Sequence, residues 1–371
     1  MKITNKFDNW VARGPFTPTD LGIYRIIYAL CALFTAPDIT YLVQYPQFMF
    51  HAPPGPLQLL TGFPPYPVLI ALELLRSASL ILLGLGLWTR YTSIASALML
   101  YITYGLTYCF GRIDHTILIV LAPLVLAFAN WGDRISLDSY RRTFPFPSHQ
   151  EQWPLRLFAI LIGWGFFVAA FVKVGTDWLS PSSQAARGYF ILSYTTQART
   201  SWPASWIAIH DPRVMWELLD WFTVIFEGTI IVALIWWRVF RIILAIATIF
   251  HLSVLLIMGI DFSHAVVAYG AFVSWGTIAS HLTHMRLHKP ITSAWQRYCS
   301  DSARIPRQLI PLILGIAIGT GAWFLMTSPI GKMSTGLICS DLIIAVGAAI
   351  GLTYLYREAG ILLQKWTGKS A

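Results

Sequence analysis

An apolar run that ends in a single lysine is the feature of this sequence with the clearest chemical potential. Residues 166–172 are apolar, Lys173 follows them, and Asp177 and Trp178 come shortly afterwards. Burial disfavours the charged form of a lysine, so a buried lysine becomes a base near neutral pH. A lysine at a helix end also extends its ammonium group to lipid headgroups. The sequence leaves both interpretations of Lys173 open.

A histidine is expected at the same face as this lysine. Asp114 and His115 begin the fourth long apolar run, and Lys173 ends the fifth. If the runs cross a membrane in opposite directions, these ends meet on one side. An imidazole that orients or exchanges protons with an amine makes a general-base site. Asp177 and Trp178 are expected to fix the exit of the chain from that face.

Two further ionisable residues fall inside neighbouring apolar runs. Glu227 and His251 each lie about 12 Å below the outer end of their run, given the rise of a helix. Antiparallel neighbours would bring them to one level. The pair is then either an interhelical hydrogen bond that holds the bundle together, or a proton relay or cofactor contact.

The elements that carry these residues are predicted to be membrane-spanning helices. The composition is 56% hydrophobic and 12% charged, with a mean hydropathy of +0.61, which excludes an ordinary soluble globular protein. An all-α polytopic membrane bundle of about ten helices is therefore expected. The predicted spans are 20–37, 68–88, 91–110, 113–130, 155–173, 219–237, 239–259, 262–280, 308–326 and 337–356.

The distribution of basic residues predicts the topology. The net charge is +9, but the lysines and arginines are dispersed and mostly fall on alternate connections, which argues against nucleic acid as a partner. The positive-inside rule then places both termini in the cytoplasm. We expect the lipid bilayer as the principal partner, and the first span as its own insertion signal. The four cysteines have no Cys-x-x-Cys spacing, so no disulfide framework is predicted.

Three parts of the chain are distinguished by composition. Residues 1–280 contain the candidate site, 281–307 form a basic inner linker, and 308–371 contain two additional helices. His281, His284 and His288 in the linker have helical spacing, but their basic neighbours oppose a cation, so we predict headgroup contact and no metal site. Nucleotide-binding glycine motifs are absent from the sequence.

The ordered set of polar residues resembles a known family. The string Lys173-Val174-Gly175-Thr176-Asp177-Trp178, with Asp114-His115 before it, resembles the horizontally transferred transmembrane (HTTM) domain family, which includes vitamin K-dependent gamma-glutamyl carboxylases. The resemblance covers about residues 20–280. Further matches, in the family's order, are Leu21-Gly22-Ile23-Tyr24-Arg25 with Asp38, then Glu227, Phe250-His251-Leu252 and Phe262-Ser263.

The resemblance implies a reaction and its participants. It makes Lys173 the base that deprotonates a reduced quinone (vitamin K hydroquinone or menaquinol), with His115 stabilising or shuttling charge beside it. Oxygen and carbon dioxide are the implied co-substrates, and carbon dioxide would add to a small or peptidic substrate on the outer face. The residues expected to contact the cofactor are Asp114, Asp177, Trp178, Glu227 and His251.

Some features leave the chemistry open. The family usually has asparagine where this sequence has Asp114, and 371 residues leave no room for the extramembrane region that holds protein substrates in the animal carboxylases. Related bacterial proteins include one that matures a secreted toxin peptide. Two alternatives therefore remain: a quinone oxidoreductase without carboxylation, and a non-enzymatic partner in the maturation or export of a secreted peptide. The resemblance also implies a multi-pass protein of the bacterial cytoplasmic membrane.

Overall fold

A computed structural model describes residues 2–110, 115–141, 151–180, 182–196, 202–284 and 329–366. Within these ranges every regular element is a helix, which confirms the all-α prediction. Numbered in chain order, the α-helices are α1 (Lys2–Ala12), α2 (Pro18–Thr35), α3 (Tyr66–Leu85), α4 (Thr89–Thr107), α5 (Ile117–Leu126), α6 (Leu137–Arg141), α7 (Trp153–Gly175), α8 (Ala185–Thr196), α9 (Ala204–His210), α10 (Arg213–Ala233), α11 (Trp237–Met258), α12 (Ser263–Tyr269), α13 (Trp275–His284) and α14 (Pro329–Trp366).

Six helical segments of the described chain are long and apolar enough to cross a membrane. Helix α10 occupies the predicted span 219–237, but its acidic residues keep it out of this set. The total of about ten spans and the cytoplasmic termini stay predictions, and the span at 308–326 lies outside the described residues. The six segments are Pro18–Gln44, Tyr66–Leu85, Thr89–Phe110, Trp153–Gly175, Trp237–Met258 and Cys339–Gln364.

The predicted span 262–280 is not one continuous helix. It is divided into α12 and α13 by a short 3-10 turn at Gly270–Phe272. A Cβ atom on Gly270 would lie 2.9 Å from the Tyr24 ring, so the turn depends on the close approach that glycine permits. The indole of Trp275 donates a 2.8 Å hydrogen bond to the Gly270 carbonyl. Local packing and capping therefore interrupt a run that hydropathy alone reads as one span.

The chain divides into two compact units. The first comprises residues 1–156 and 270–339, and within it α2 packs on α3, α3 on α4 and α4 on α5. The fully buried guanidinium of Arg25 donates to the carbonyl groups of Trp131 (2.8 Å) and Ile135. Bonds to backbone carbonyl groups therefore offset the cost of burying the Arg25 charge.

The connection between α2 and α3 is anchored by an ion pair between Glu73 and Arg76 of α3. The two side chains lie 3.6 Å apart and are buried. Glu73 accepts a 2.7 Å hydrogen bond from the Ile39 amide, and Arg76 donates a 2.9 Å bond to the Pro37 carbonyl. Each charge therefore also bonds to the backbone where α2 ends, which offsets the cost of burying it.

The second unit comprises residues 157–269 and 340–371, and contains the long connection between α7 and α10. That connection folds into α8 and α9, which pack on α11, while α8 also packs on α10. Its aromatic residues divide between a core and the surface, because Phe190 is buried against Trp216 of α10 whereas Trp202 and Trp206 are exposed. Exposed tryptophans of this kind are typical of the membrane–water interface.

Candidate functional site

Lys173 of α7 forms an ion pair with Glu227 of α10. The Lys173 Nζ atom lies 2.6 Å from Oε1 of Glu227 and also contacts Oε2. The side chains are 18% and 10% exposed respectively. A charged pair in a medium of low dielectric constant attracts more strongly than one in water. The Lys173 amine therefore faces the Glu227 carboxylate, and both residues belong to the second compact unit.

The end of α7 places an indole over this amine. The amides of Thr176 and Trp178 both bond to the Lys173 carbonyl, at 3.2 and 3.3 Å. Asp177 between them has a φ of +59°, in the left-handed region that aspartate tolerates better than most residues. The turn brings the Trp178 ring to 5.0 Å from Lys173 Nζ, a cation–π distance.

Asp177 and Trp178 therefore have distinguishable positions. The side chain of Asp177 is exposed, and its carbonyl accepts a 2.7 Å hydrogen bond from the Ser183 hydroxyl. Trp178 is half-buried and packs on Tyr189 of α8. This geometry agrees with the expectation that the two residues fix the exit of the chain from α7, and their contact with a cofactor stays a prediction.

His251 of α11 lies in an aromatic cluster of the same unit. Its imidazole is 3% exposed, stacks on Phe262 at 4.3 Å, and shares a 3.1 Å hydrogen bond between Nε2 and the Tyr269 hydroxyl. Phe166, Phe222, Phe226 and Phe250 complete what we call the aromatic cluster, together with His251, Phe262 and Tyr269.

The aromatic cluster and the ion pair share two helices. Phe166 precedes Lys173 by seven residues, which places both on one face of α7 and about 10 Å apart along its axis. Phe226 is adjacent to Glu227 on α10 and makes an edge contact with Phe166 at 5.8 Å. The ion pair and the aromatic cluster are therefore neighbours along the two shared helices.

The structure shows one partner for each of the two residues predicted to meet in the bilayer, and their own meeting stays a prediction. Glu227 bonds to Lys173, and His251 bonds to Tyr269. The pairing with Lys173 was missed because depth along a helix does not reveal which neighbour a side chain faces. The available signal was that both charges interrupt otherwise apolar runs, so each needed a partner.

His115 belongs to the first unit, in the turn that leads into α5. Its carbonyl accepts the amide hydrogen of Leu118 at 3.1 Å. Asp114 lies outside the described residues, and so do the side chains of His281, His284 and His288. The convergence of His115 with Lys173 stays a prediction. Among the described side chains, no three His, Cys, Asp or Glu residues form a metal-binding group.

The fold and the ion pair define a class of protein. A helical chain with six described segments of membrane-spanning length and composition, and with an ion pair held between two of its helices, is a multi-pass integral membrane protein.

Within that class the chain belongs to the HTTM domain family. The sequence model of the HTTM domain matches residues 14–273, which include α2 to α12 and the residues of the candidate site. Searches of curated proteins and of solved structures find no match.

Proposed function

We propose that this protein is a membrane enzyme that removes a proton from a reduced quinone, either vitamin K hydroquinone or menaquinol, with Lys173 as the base. The observation that carries the proposal is the Lys173 amine held by Glu227 beneath the Trp178 ring. Membership of the HTTM family and the resemblance of Lys173 to the carboxylase lysine support the same role.

Glu227 prepares the amine for this role. Transfer of one proton from the Lys173 ammonium to the Glu227 carboxylate leaves a neutral amine and a neutral carboxylic acid. Low dielectric favours such a neutral pair over two separate charges. The neutral amine then accepts a proton from an acidic hydroxyl group placed against it. Lys173 and Glu227 together act as one proton-accepting unit.

The surrounding rings suit the proposed substrate. The aromatic cluster gives the ion pair apolar surroundings, and Trp178 covers the amine on the side of the outer connection. A reduced quinone supplies an acidic hydroxyl group and the electrons that reduce oxygen. Exclusion of water by the rings protects a strong base from being quenched.

We extend the proposal to carboxylation of a small or peptidic substrate at the outer face. In this reading carbon dioxide adds where a strong base has removed a proton from carbon, and His115 stabilises charge near Lys173. The support is the resemblance to the carboxylases, together with family membership. We place the protein in a bacterial cytoplasmic membrane on the same grounds.

Oxygen uptake with labelled carbon dioxide tests this function. The purified protein is given vitamin K hydroquinone or reduced menaquinone, oxygen, labelled carbon dioxide and peptides that contain glutamate. Oxygen uptake with label in the peptide is expected, and it should fall in His115→Ala. Uptake without label would favour the quinone oxidoreductase alternative. Folded protein that consumes no oxygen would refute the quinol chemistry and favour the peptide-maturation partner.

A further inference from the structure

The connection between α2 and α3, which comprises residues 36–65, begins beside the interior of α3. The amide of Ile39 donates a 2.7 Å hydrogen bond to Glu73. Glu73 follows Tyr66, the first residue of α3, by seven positions, which is about 10 Å along the helix axis. The connection therefore begins about two helical turns away from the end of α3 at which it finishes.

Helix α3 has the length and composition of a membrane span, with little length to spare. Its 20 residues extend about 30 Å, which is the thickness of the hydrocarbon core of a typical bilayer. Both ends of α3 must then lie near the borders of that core. Glu73, and with it the start of the connection, lies at membrane depth rather than in the water outside.

The connection also packs sideways against α3 and α4. Leu42 lies in one buried apolar cluster with Leu69 of α3 and Leu106 of α4. Leu57 occupies the space beside Gly105 of α4, where an added Cβ atom would come within 2.1 Å of the leucine side chain. These contacts hold the connection against the first turns of α3 and the last turns of α4.

The connection is free of formal charge and exposes large apolar side chains. No aspartate, glutamate, lysine or arginine occurs between Asp38 and Glu73. Phe48 and Leu59 are each 87% exposed, and Val43 is also exposed. Contact of these side chains with water is unfavourable, whereas contact with lipid removes that cost. The composition therefore favours a surrounding of lipid.

The backbone of the connection is bonded in a way that suits such a surrounding. Away from water, backbone polar groups need partners within the protein. Three short 3-10 turns, at Thr40–Gln44, Gln47–Met49 and Pro56–Leu59, pair amides with carbonyl groups. The Gln47 carboxamide accepts a 2.7 Å hydrogen bond from the Phe63 amide and donates to the Phe63 carbonyl. Prolines, which have no amide hydrogen to satisfy, stand at positions 46, 53, 54, 56, 64 and 65.

We propose that the connection between α2 and α3 is a re-entrant segment that lies in the membrane interface, with Phe48 and Leu59 in contact with lipid acyl chains. Its partner is the boundary between headgroups and acyl chains, which accepts apolar side chains to a depth of about 5–10 Å. The depth of Ile39, the absence of charge and the bonded backbone all point to this surrounding. This inference does not depend on the proposed function.

Photolabelling of the unaltered protein tests the contact with lipid. The full chain is placed in nanodiscs that contain a phospholipid with a diazirine group on its acyl chain, and labelled peptides are identified by mass spectrometry. Crosslinks to residues 43–60 are expected, together with crosslinks to α3. Crosslinks to α3 with none to the connection would overturn the proposal.

Nitroxide labels then measure the surroundings of single side chains. Phe48→Cys and Leu59→Cys are made in a background without the four native cysteines and labelled in nanodiscs. Leu75→Cys, at an exposed position inside α3, is the reference for lipid, and Ser182→Cys, at an exposed position in a serine-rich connection, is the reference for water. Relaxation by oxygen relative to a water-soluble nickel complex should be several-fold greater at positions 48 and 59 than at 182.

Two results at positions 48 and 59 would overturn the proposal. Access to nickel equal to that at Ser182 would place the connection in water. Protection from both oxygen and nickel would show that a protein, either a second copy of this chain or another partner, covers the connection. If a labelled variant does not fold, the photolabelling of the unaltered protein still decides the question.

Discussion

The loss of Lys173 should destabilise the protein through Glu227. In Lys173→Met the methionine replaces the apolar stem, but the Glu227 carboxylate is left buried without its cation. Breaking a buried ion pair by removing one partner costs about 3–5 kcal/mol. Because the Lys173 and Glu227 side chains are still 18% and 10% exposed, we expect the lower end, about 3 kcal/mol.

The double variant provides the decisive comparison. In Lys173→Met with Glu227→Gln, no charge remains, so its free energy of unfolding should return to within about 1 kcal/mol of the wild type. The coupling between the two sites is then at least about 2 kcal/mol, and larger if Glu227→Gln alone is also destabilising, well above the value for distant, independent residues. Denaturant titration in mixed detergent micelles, followed by circular dichroism, measures all four proteins.

An additive cycle would refute the ion pair. If Lys173 extends its ammonium group to lipid headgroups, Lys173→Met alone should change the free energy of unfolding by less than about 1 kcal/mol. Its effect should also be the same with glutamate or glutamine at position 227. Arg238→Met is a matched control, because its partner Glu358 lies on α14 and the arginine is 42% exposed. Its cost should be clearly smaller than that of Lys173→Met.

Three further predictions concern the framework. Arg25→Lys should lower the apparent melting temperature, at a cost of about 2–4 kcal/mol, because a lysine cannot reach the separate carbonyl groups that the guanidinium bonds. Gly86→Ala should also destabilise, since Gly86 has a φ of +69° and a Cβ atom would lie 2.4 Å from Cβ of Ser136; thermal denaturation measures both. Hydrogen bonds from Arg187, and then from Trp216, hold the pKa of Asp211 below its usual range, so their stabilising effect is present above about pH 4 and is lost as the pH falls through the lowered pKa. Limited proteolysis of the α8 to α10 connection should show that loss in the wild type and not in Arg187→Gln.

The sequence predicts the long helices well because their signal is local. The runs 68–88, 155–173 and 239–259 lie close to α3, α7 and α11, since about 20 apolar residues suffice to span a bilayer whatever surrounds them. The run 113–130 is a weaker case, because α5 covers only Ile117–Leu126 and contains Pro123. Breaks of this kind depend on turns and contacts that hydropathy does not record.

The partners of the charged residues were harder to predict. The three-residue spacing of Glu73 and Arg76 reveals their pairing, because residues three apart share one helical face. No such rule links Lys173 with Glu227, which lie on different helices. The rise of a helix gives the depth of a side chain, but its lateral direction depends on the rotation of each helix and on its packed neighbours.

Quinol-dependent oxygen uptake by Lys173→Met and Glu227→Gln, compared with wild type and Glu358→Gln, tests the central claim most directly. If Lys173 and Glu227 form the proton-accepting unit, both variants should be at least about 100-fold slower, and Glu358→Gln should match the wild type. Folded Lys173→Met protein that consumes oxygen at the wild-type rate would contradict the assignment of Lys173 as the base.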